Sequence, residues 1–186
     1  MPPKVRITKE EIINKAVDIV RRDGAQAINA RNVAAELECS TQPIFSNFAS
    51  MEELRDAVLM RSYELYSEYI KREVESGLYP PYKASGMAYI RFAKEEKELF
   101  KLLYMCDRAC EPIYEKTEID VNMEALVRSN TGLSEEESKL FHLEMWALVH
   151  GIATMFATGF VGLDWELVSR MLTDAYLGGR KQFGLE

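Results

Sequence analysis

The chain has 186 residues, 47% of them hydrophobic, and a net charge of −7. That length builds one domain with a sizeable core, or a small head on a larger body. No uninterrupted apolar run reaches the roughly 18 residues of a membrane span, and no apolar segment opens the chain as an export signal would.

The three cysteines, Cys39, Cys106 and Cys110, have neither a disulfide-framework spacing nor a paired metal-ligand spacing. A reducing, cytoplasmic setting without metal or cofactor is expected. Cys106 and Cys110 lie at i, i+4, which raises the idea of a redox switch, but small buried hydrophobes are the commoner case. The acidic total argues against a general nucleic-acid binder, yet the charge is uneven. Residues 1–50 carry seven basic and six acidic side chains, a net +1, so the remainder holds −8. An acidic body with a locally basic head suits a protein that binds one DNA site and leaves the others easily.

Residues 1–7 are polar, and Lys4 and Arg6 stand ahead of the first helix like a short basic arm that touches phosphates or the minor groove. Thr8 reads as an N-cap and Glu11 completes a capping box. Ile12, Ala16, Ile19 and Val20 form an apolar stripe, and Gly24 ends the helix. Residues 29–48 then hold two short helical patterns across a tight turn. Val33, Ala34 and Leu37 share a face of the first. Glu38-Cys39-Ser40 is the turn, Ser40 is the expected N-cap of the second helix, and Pro43 sits in its first turn. Ile44 and Phe48 point inward, leaving Thr41, Gln42, Phe45, Ser46 and Asn47 outside. Two helices, a tight turn and a second helix presenting small polar groups is the layout of a helix-turn-helix, whose second helix enters the major groove.

A second capping box at Ser50–Glu53 opens a long helix to about Ser76, with Leu54, Val58, Arg61, Leu65 and Ile70 as its expected inner face. Gly77 and Pro80-Pro81 end it. Tyr82–Glu96 and the apolar Leu99–Met105 follow as helices, 111–130 is less regular, Ser134 caps a strong helix to about Thr158, and Asp164 caps the last. No strand-like alternation of useful length occurs. The expected fold is all-α, about nine helices, with a three-helix head over 1–49 and a helical body over 50–186.

Thr8 through Leu59 resembles the N-terminal domain of the tetracycline-repressor (TetR) family of bacterial transcriptional regulators. The landmarks are the helix ending at Asp23-Gly24, Asn32-Val33-Ala34-Ala35, Ser40-Thr41, Ile44-Phe45-Ser46-Asn47-Phe48 and Ser50-Met51-Glu52-Glu53-Leu54. Phe45 stands where the family mostly has Tyr, and Ser46 and Asn47 where Arg and His are common. Trp146-Ala-Leu-Val-His150-Gly151 and the run from Tyr89 to Tyr104 are similar to one C-terminal class of that family.

The resemblance implies a homodimeric, ligand-responsive regulator, a repressor in the first instance, on a palindromic double-stranded DNA operator. Thr41 and Gln42 would approach base edges, and Gln pairs well with adenine. Ser46, Asn47, Arg31 and Thr8 would contact phosphates, with Phe45 against sugar or a thymine methyl. The last two helices, rich in Ala147, Gly151, Ala153, Ala157, Gly159, Ala175, Gly178 and Gly179, would form the dimer. A small apolar or aromatic effector would meet Tyr66, Tyr89, Phe92, Phe100, Leu103, Tyr104, Trp146 and His150.

His142 and His150 are about 12 Å apart along a helix, too far for one metal ion, so His150 is expected to need a hydrogen-bond partner instead. No catalytic constellation appears at meaningful spacing. Two alternatives remain open: a helical binding protein whose vestigial head acts through a protein partner, and an enzyme built on the aromatic residues.

Overall fold

The structure, a computed structural model, describes residues 7–105 and 118–185, with the backbone alone for 118–122. Cys106 and Cys110, and with them any redox role, lie outside the described residues, as do Lys4 and Arg6. The described residues form nine α-helices and one 3-10 turn. They are α1 (Lys9–Asp23), the 3-10 turn (Ala25–Ala27), α2 (Ala30–Glu36), α3 (Gln42–Asn47), α4 (Met51–Glu75), α5 (Pro81–Glu95), α6 (Lys97–Tyr104), α7 (Glu118–Thr131), α8 (Glu135–Thr158) and α9 (Trp165–Gln182). The all-α expectation holds.

The chain forms two compact units, Met1–Ser67 with Glu96–Cys106, and Glu68–Glu95 with Asp107–Glu186. The first unit takes in more than residues 1–49. The N-terminal part of α4 belongs to it, and so does α6, whose Leu99, Phe100 and Leu103 are fully buried. The sequence showed α6 as a short apolar helix but gave no sign that α1 was its partner. Two contacts fix that pairing. Arg21 donates to both carboxylate oxygens of Glu96, at 2.9 and 2.7 Å. Gly24 has φ +82° and brings its backbone to the Glu98 carboxylate, where an added Cβ would lie 3.3 Å from Oε2. A side chain there would be strained by backbone and by neighbour alike.

The expected helix signals are present. Thr8–Glu11 and Ser134–Glu137 are complete capping boxes, and Asp164 accepts from the N–H groups of Glu166 and Leu167. Ser50 accepts from the Glu53 N–H, while the Glu53 carboxylate reaches back to the Ala49 N–H rather than to Ser50.

Ser40 is not the N-cap of α3. The preceding helix ends with Glu38 at φ +49°, with the Cys39 N–H bonded to the Ala34 carbonyl. That closure consumes the turn through Ser40 and puts Thr41 in the cap position without a side-chain hydrogen bond. The buried residues near the start of α4 are Leu54, Val58, Ser62 and Tyr66, a strict i, i+4 row instead of the expected one through Arg61 and Leu65. Ser62 is tolerated inside because its hydroxyl donates to the Val58 carbonyl at 2.7 Å.

In the second unit α5 and α8 pack face to face, with α7 and α9 against α8 and α9 also against α5. Ala84, Met87, Ala88, Ile90, Phe92 and Ala93 of α5 are fully buried. By length and composition α8 is apolar enough to cross a membrane, which counting uninterrupted runs did not reveal. Its Phe141, Met145, Val149, Ile152, Ala153 and Phe156 form a buried face inside the protein, while Leu140, Leu143 and Trp146 are exposed.

Close packing of α9 on α8 depends on Gly179, where an added Cβ would lie 2.9 Å from Phe141 Cε2. Gly179→Ala is expected to destabilise the chain by about 1–3 kcal/mol through overpacking. A double-mutant cycle with Phe141→Leu, read by denaturant unfolding, should show a coupling that recovers part of that loss. Equal effects of Gly179→Ala in both backgrounds would show that this contact does not govern the packing.

Candidate nucleic-acid interface and the aromatic clusters

The head is organised around α1. Ile12, Ala16, Ile19 and Val20 are completely buried, Val33 of α2, Ile44 within α3 and Phe48 at its C-cap are buried too, and α1 packs against both α2 and α3. Asn29 caps α2 by accepting from the N–H groups of Arg31 and Asn32, and Arg22 pairs with Glu36 at 2.8 Å. Lys9 pairs with Glu53 at 2.9 Å and sits 4.7 Å from the Phe48 ring centre.

Above this core, α3 presents Gln42, Phe45 and Ser46 to solvent, with Thr41 and Asn47 half-buried and Thr8 and Arg31 exposed nearby in sequence to its supports. Phe45 is 53% exposed, an unusual setting for a phenylalanine on a six-residue helix. The polar groups differ in their freedom. Ser46 donates its hydroxyl to the Gln42 carbonyl at 2.9 Å. Asn47 donates its amide to the Pro43 carbonyl at 2.8 Å and to the Ile7 carbonyl at 3.5 Å. As arranged, Ser46 offers an approaching group only acceptor lone pairs, and Asn47 is engaged in tying α3 to the start of α1.

Of the eight residues expected around an effector, Tyr66, Phe100, Leu103 and Tyr104 belong to the first unit and Tyr89, Phe92, Trp146 and His150 to the second. In the first unit, Tyr104 meets Tyr66 edge-on at 5.9 Å and Phe100 at 5.2 Å, with Leu103 fully buried beside them in sequence. In the second unit, Tyr89 on α5 and His150 on α8 share a hydrogen bond of 2.9 Å between the phenol and Nδ1. Trp146 stacks on His150 with ring centres 4.8 Å apart and planes within 15°. Phe92 is fully buried and meets Tyr69 at 5.4 Å. His150 thus has the partner that its place in an apolar helix demanded.

Three features escaped the sequence reading. Tyr82 and His142 form a second pair of the same kind, 2.9 Å apart, lower on the α5–α8 contact; burial pushes the Tyr82 phenol well above the usual tyrosine range. The Thr154 hydroxyl, one turn beyond His150, is buried with no hydrogen-bond partner among the described residues. A cavity of about 160 Å³ opens between α8 and α9, lined by Phe141, Met145, Leu148, Ala175 and Gly179 with Glu144 and Gln182. None of the eight expected effector residues lines it. Among the described residues no group of His, Cys, Asp or Glu could hold a metal ion.

Residues 82–175 match the family model described as tetracyclin repressor-like, C-terminal domain. That segment is just over half of the chain. The chain belongs to the tetracyclin repressor-like (TetR) family. The solved structures agree at the level of fold. A TetR-like transcriptional regulator from Rhodococcus sp. RHA1 is 16% identical, with a TM-score of 0.66 over 99% of each chain. The TetR-family member SCO1917 from Streptomyces coelicolor A3 is 16% identical, with a TM-score of 0.59 over 89% of this chain and 96% of that one. The multidrug binding protein EbrR, solved in complex with imidazole, is 16% identical, with a TM-score of 0.57 over 89% of this chain and 88% of that one. No curated protein matches the chain.

In this TetR-family regulator, burial lowers the pKa of His150 below the ordinary histidine value. The unfolded chain then binds a proton more readily than the folded one, so stability is full above about pH 6.5 and falls as the pH drops below it. Denaturant titrations at pH 7.5 and pH 5.5 should show this loss in the wild type and a smaller one in His150→Phe. An unchanged slope in the variant would remove His150 from the effect. The carboxylates held low by their caps, Glu11 and Glu137, act only in more acidic solution.

Proposed function

We propose that the protein is a cytoplasmic, homodimeric, ligand-responsive transcriptional repressor that leaves a palindromic operator when a small, largely apolar effector binds. Residues 1–49 read DNA in this proposal, and residues 50–186 bind effector and dimerise. The observation that carries the DNA reading is the exposed face of α3, a short helix held rigid from beneath and showing Gln42 and Phe45 outward. Gln42 and Thr41 read base edges, Arg31 and Thr8 hold phosphates, and Phe45 packs on sugar or a thymine methyl. Ser46 and Asn47 serve phosphate contact only by giving up their present bonds, and Lys4 and Arg6 complete the interface as an arm.

The dimer reading is supported by unpartnered apolar side chains on α8 and α9. Leu140, Leu143 and Leu177 are 49%, 58% and 57% exposed. Of the small residues expected there, Ala153 and Ala157 are buried within their own unit and Gly179 packs on Phe141. Ala175 lies against the core formed by Val127, Phe141 and Met145, while Ala147, Gly159 and Gly178 are exposed and Gly151 is half-buried, which leaves these four for close approach of a second copy. Twofold pairing would set the spacing of two α3 helices on DNA.

The Tyr89–His150–Trp146 group supports an effector that stacks on aromatic rings, and the orphan Thr154 hydroxyl supports one polar atom on it. Within one chain, α4 and the α5–α6 junction carry the polypeptide from one unit to the other, and an effector's influence on the head would travel along them. To change operator occupancy tenfold the effector must favour one state by about 1.4 kcal/mol. No catalytic step belongs to this reading.

Fluorescence anisotropy against the gene's own upstream DNA tests it. The expectation is salt-sensitive, sequence-specific binding at sub-micromolar protein. Gln42→Ala should lose about 1–3 kcal/mol of discrimination at one base position. Arg31→Ala should weaken all sequences alike and reduce the salt slope by about one. Retained function with Gln42→Ala would favour the vestigial-head alternative.

Dimerisation has its own readout. Ala147→Glu should shift the sedimentation coefficient from dimer to monomer while leaving the circular dichroism spectrum unchanged. A wild type that sediments as a monomer would end the two-headed reading.

A further inference from the structure

Lys83, in the first turn of α5, reaches across to α9. Its ammonium donates to Ser169 Oγ at 2.8 Å and to Thr173 Oγ1 at 2.7 Å, residues one turn apart on α9. The Tyr79 ring lies beneath it, 4.8 Å from Nζ to the ring centre. All four side chains are half-buried, so the group remains within reach of solvent. The chain has 30 acids and 23 bases. Lys9, Arg21, Arg22, Arg91, Lys101 and Lys139 each pair with a carboxylate. Lys83 has only neutral partners among the described residues.

An ammonium has three donors and no acceptor, and a hydroxyl one donor and two acceptor lone pairs. Two Lys83 donors are used. Thr173 donates onward to the Ser169 carbonyl at 3.1 Å. Ser169 accepts from Lys83, and no acceptor for its own proton is found among the described residues. One N–H and one O–H, on atoms 2.8 Å apart, are left. An oxyanion presenting two oxygens would accept from both, as paired donors do in bidentate recognition of carboxylate and phosphate. The positive end of the α5 dipole adds to the same field, and the partial desolvation that lowers the Lys83 pKa is what a bound anion would offset.

We propose that Lys83, Ser169 and Thr173 form a binding site for a small oxyanion, a carboxylate or phosphate group, at the α5–α9 seam of the second unit. The site uses none of the residues assigned to DNA or to the aromatic effector, and it stands whether or not those assignments do. It clips α9 to α5 through a charge that the anion neutralises, so occupancy tightens this seam.

The test is isothermal titration of the full chain with potassium phosphate and, separately, with potassium acetate. Ionic strength is held constant with chloride, and amide NMR locates the response. The expected result is saturable binding by one or both, with shifts confined to residues around 82–84 and 169–173. Phosphate alone would assign a tetrahedral anion, and response to acetate a carboxylate group. Lys83→Met should weaken binding at least about tenfold. Ser169→Ala, which keeps the lysine and its bond to Thr173, should weaken it several-fold. No saturable response to either anion, or equal binding by wild type and Ser169→Ala together with Lys83→Met, would overturn the proposal.

Discussion

A helix of six residues does not persist alone in water, because nucleation costs more than one turn of hydrogen bonds returns. The α3 helix is that short, and it has no side-chain cap at its start. What holds it is burial of one face: Ile44 within the helix is 0% and Phe48 at its C-cap 1% exposed. Each such side chain contributes about 1.5–3 kcal/mol on leaving water. Their pocket is made by α1, so the outward face of α3 exists in one orientation only while the α1 stripe is packed. Everything the head can read depends on that apolar contact.

The same stripe explains why the packing unit runs beyond the first 50 residues. A 15-residue helix with five buried positions needs more apolar surface than two short helices provide, and α6 supplies it. Local pattern gave α1, its capping box, its glycine stop and the turn into α3, since each is fixed by residues within a few positions of one another. The partnership of α1 with α6 spans about 75 residues and left no periodic mark; beside the apolar residues of α6, Glu96 and Glu98 fix it by meeting Arg21 and Gly24. The misplaced N-cap has a similar cause. Ser40 has the right chemistry for a cap, but the positive φ of Glu38 decides where the chain is free to begin a new helix.

In the second unit, periodicity identified the helices and the need of His150 for a partner, and the structure names Tyr89. It did not reveal that the pairing occurs twice. Tyr82 and Tyr89 are seven residues apart on α5, and His142 and His150 eight apart on α8, so two helices in steady contact bring both pairs within 2.9 Å. Either phenol alone reads as ordinary core. Buried polar groups are costly unless satisfied, and two matched pairs fix the register of α5 on α8 more tightly than apolar contact would. The aromatic side chains were legible as residue types but not by the unit each belongs to, because composition carries no address.

The exposed face of α3 is small and carries no charged side chain. Its outward groups are a phenyl ring, an amide and a hydroxyl, with no cation on the helix itself, whereas phosphate attraction is the usual source of non-specific DNA affinity. In the proposed DNA reading, a surface of this kind would gain little from charge and would have to gain from fit: a ring against sugar or methyl, and an amide against one base edge. Affinity for random sequence would then be low and discrimination would rest on few contacts, in keeping with a head whose net charge is only +1 within an acidic chain. Rigidity matters more for such a surface than for a basic one, since a lysine reaches a phosphate from many poses and a ring packs in few. The tie from Asn47 to the Pro43 and Ile7 carbonyls supplies that rigidity at the position where a charged contact might otherwise stand.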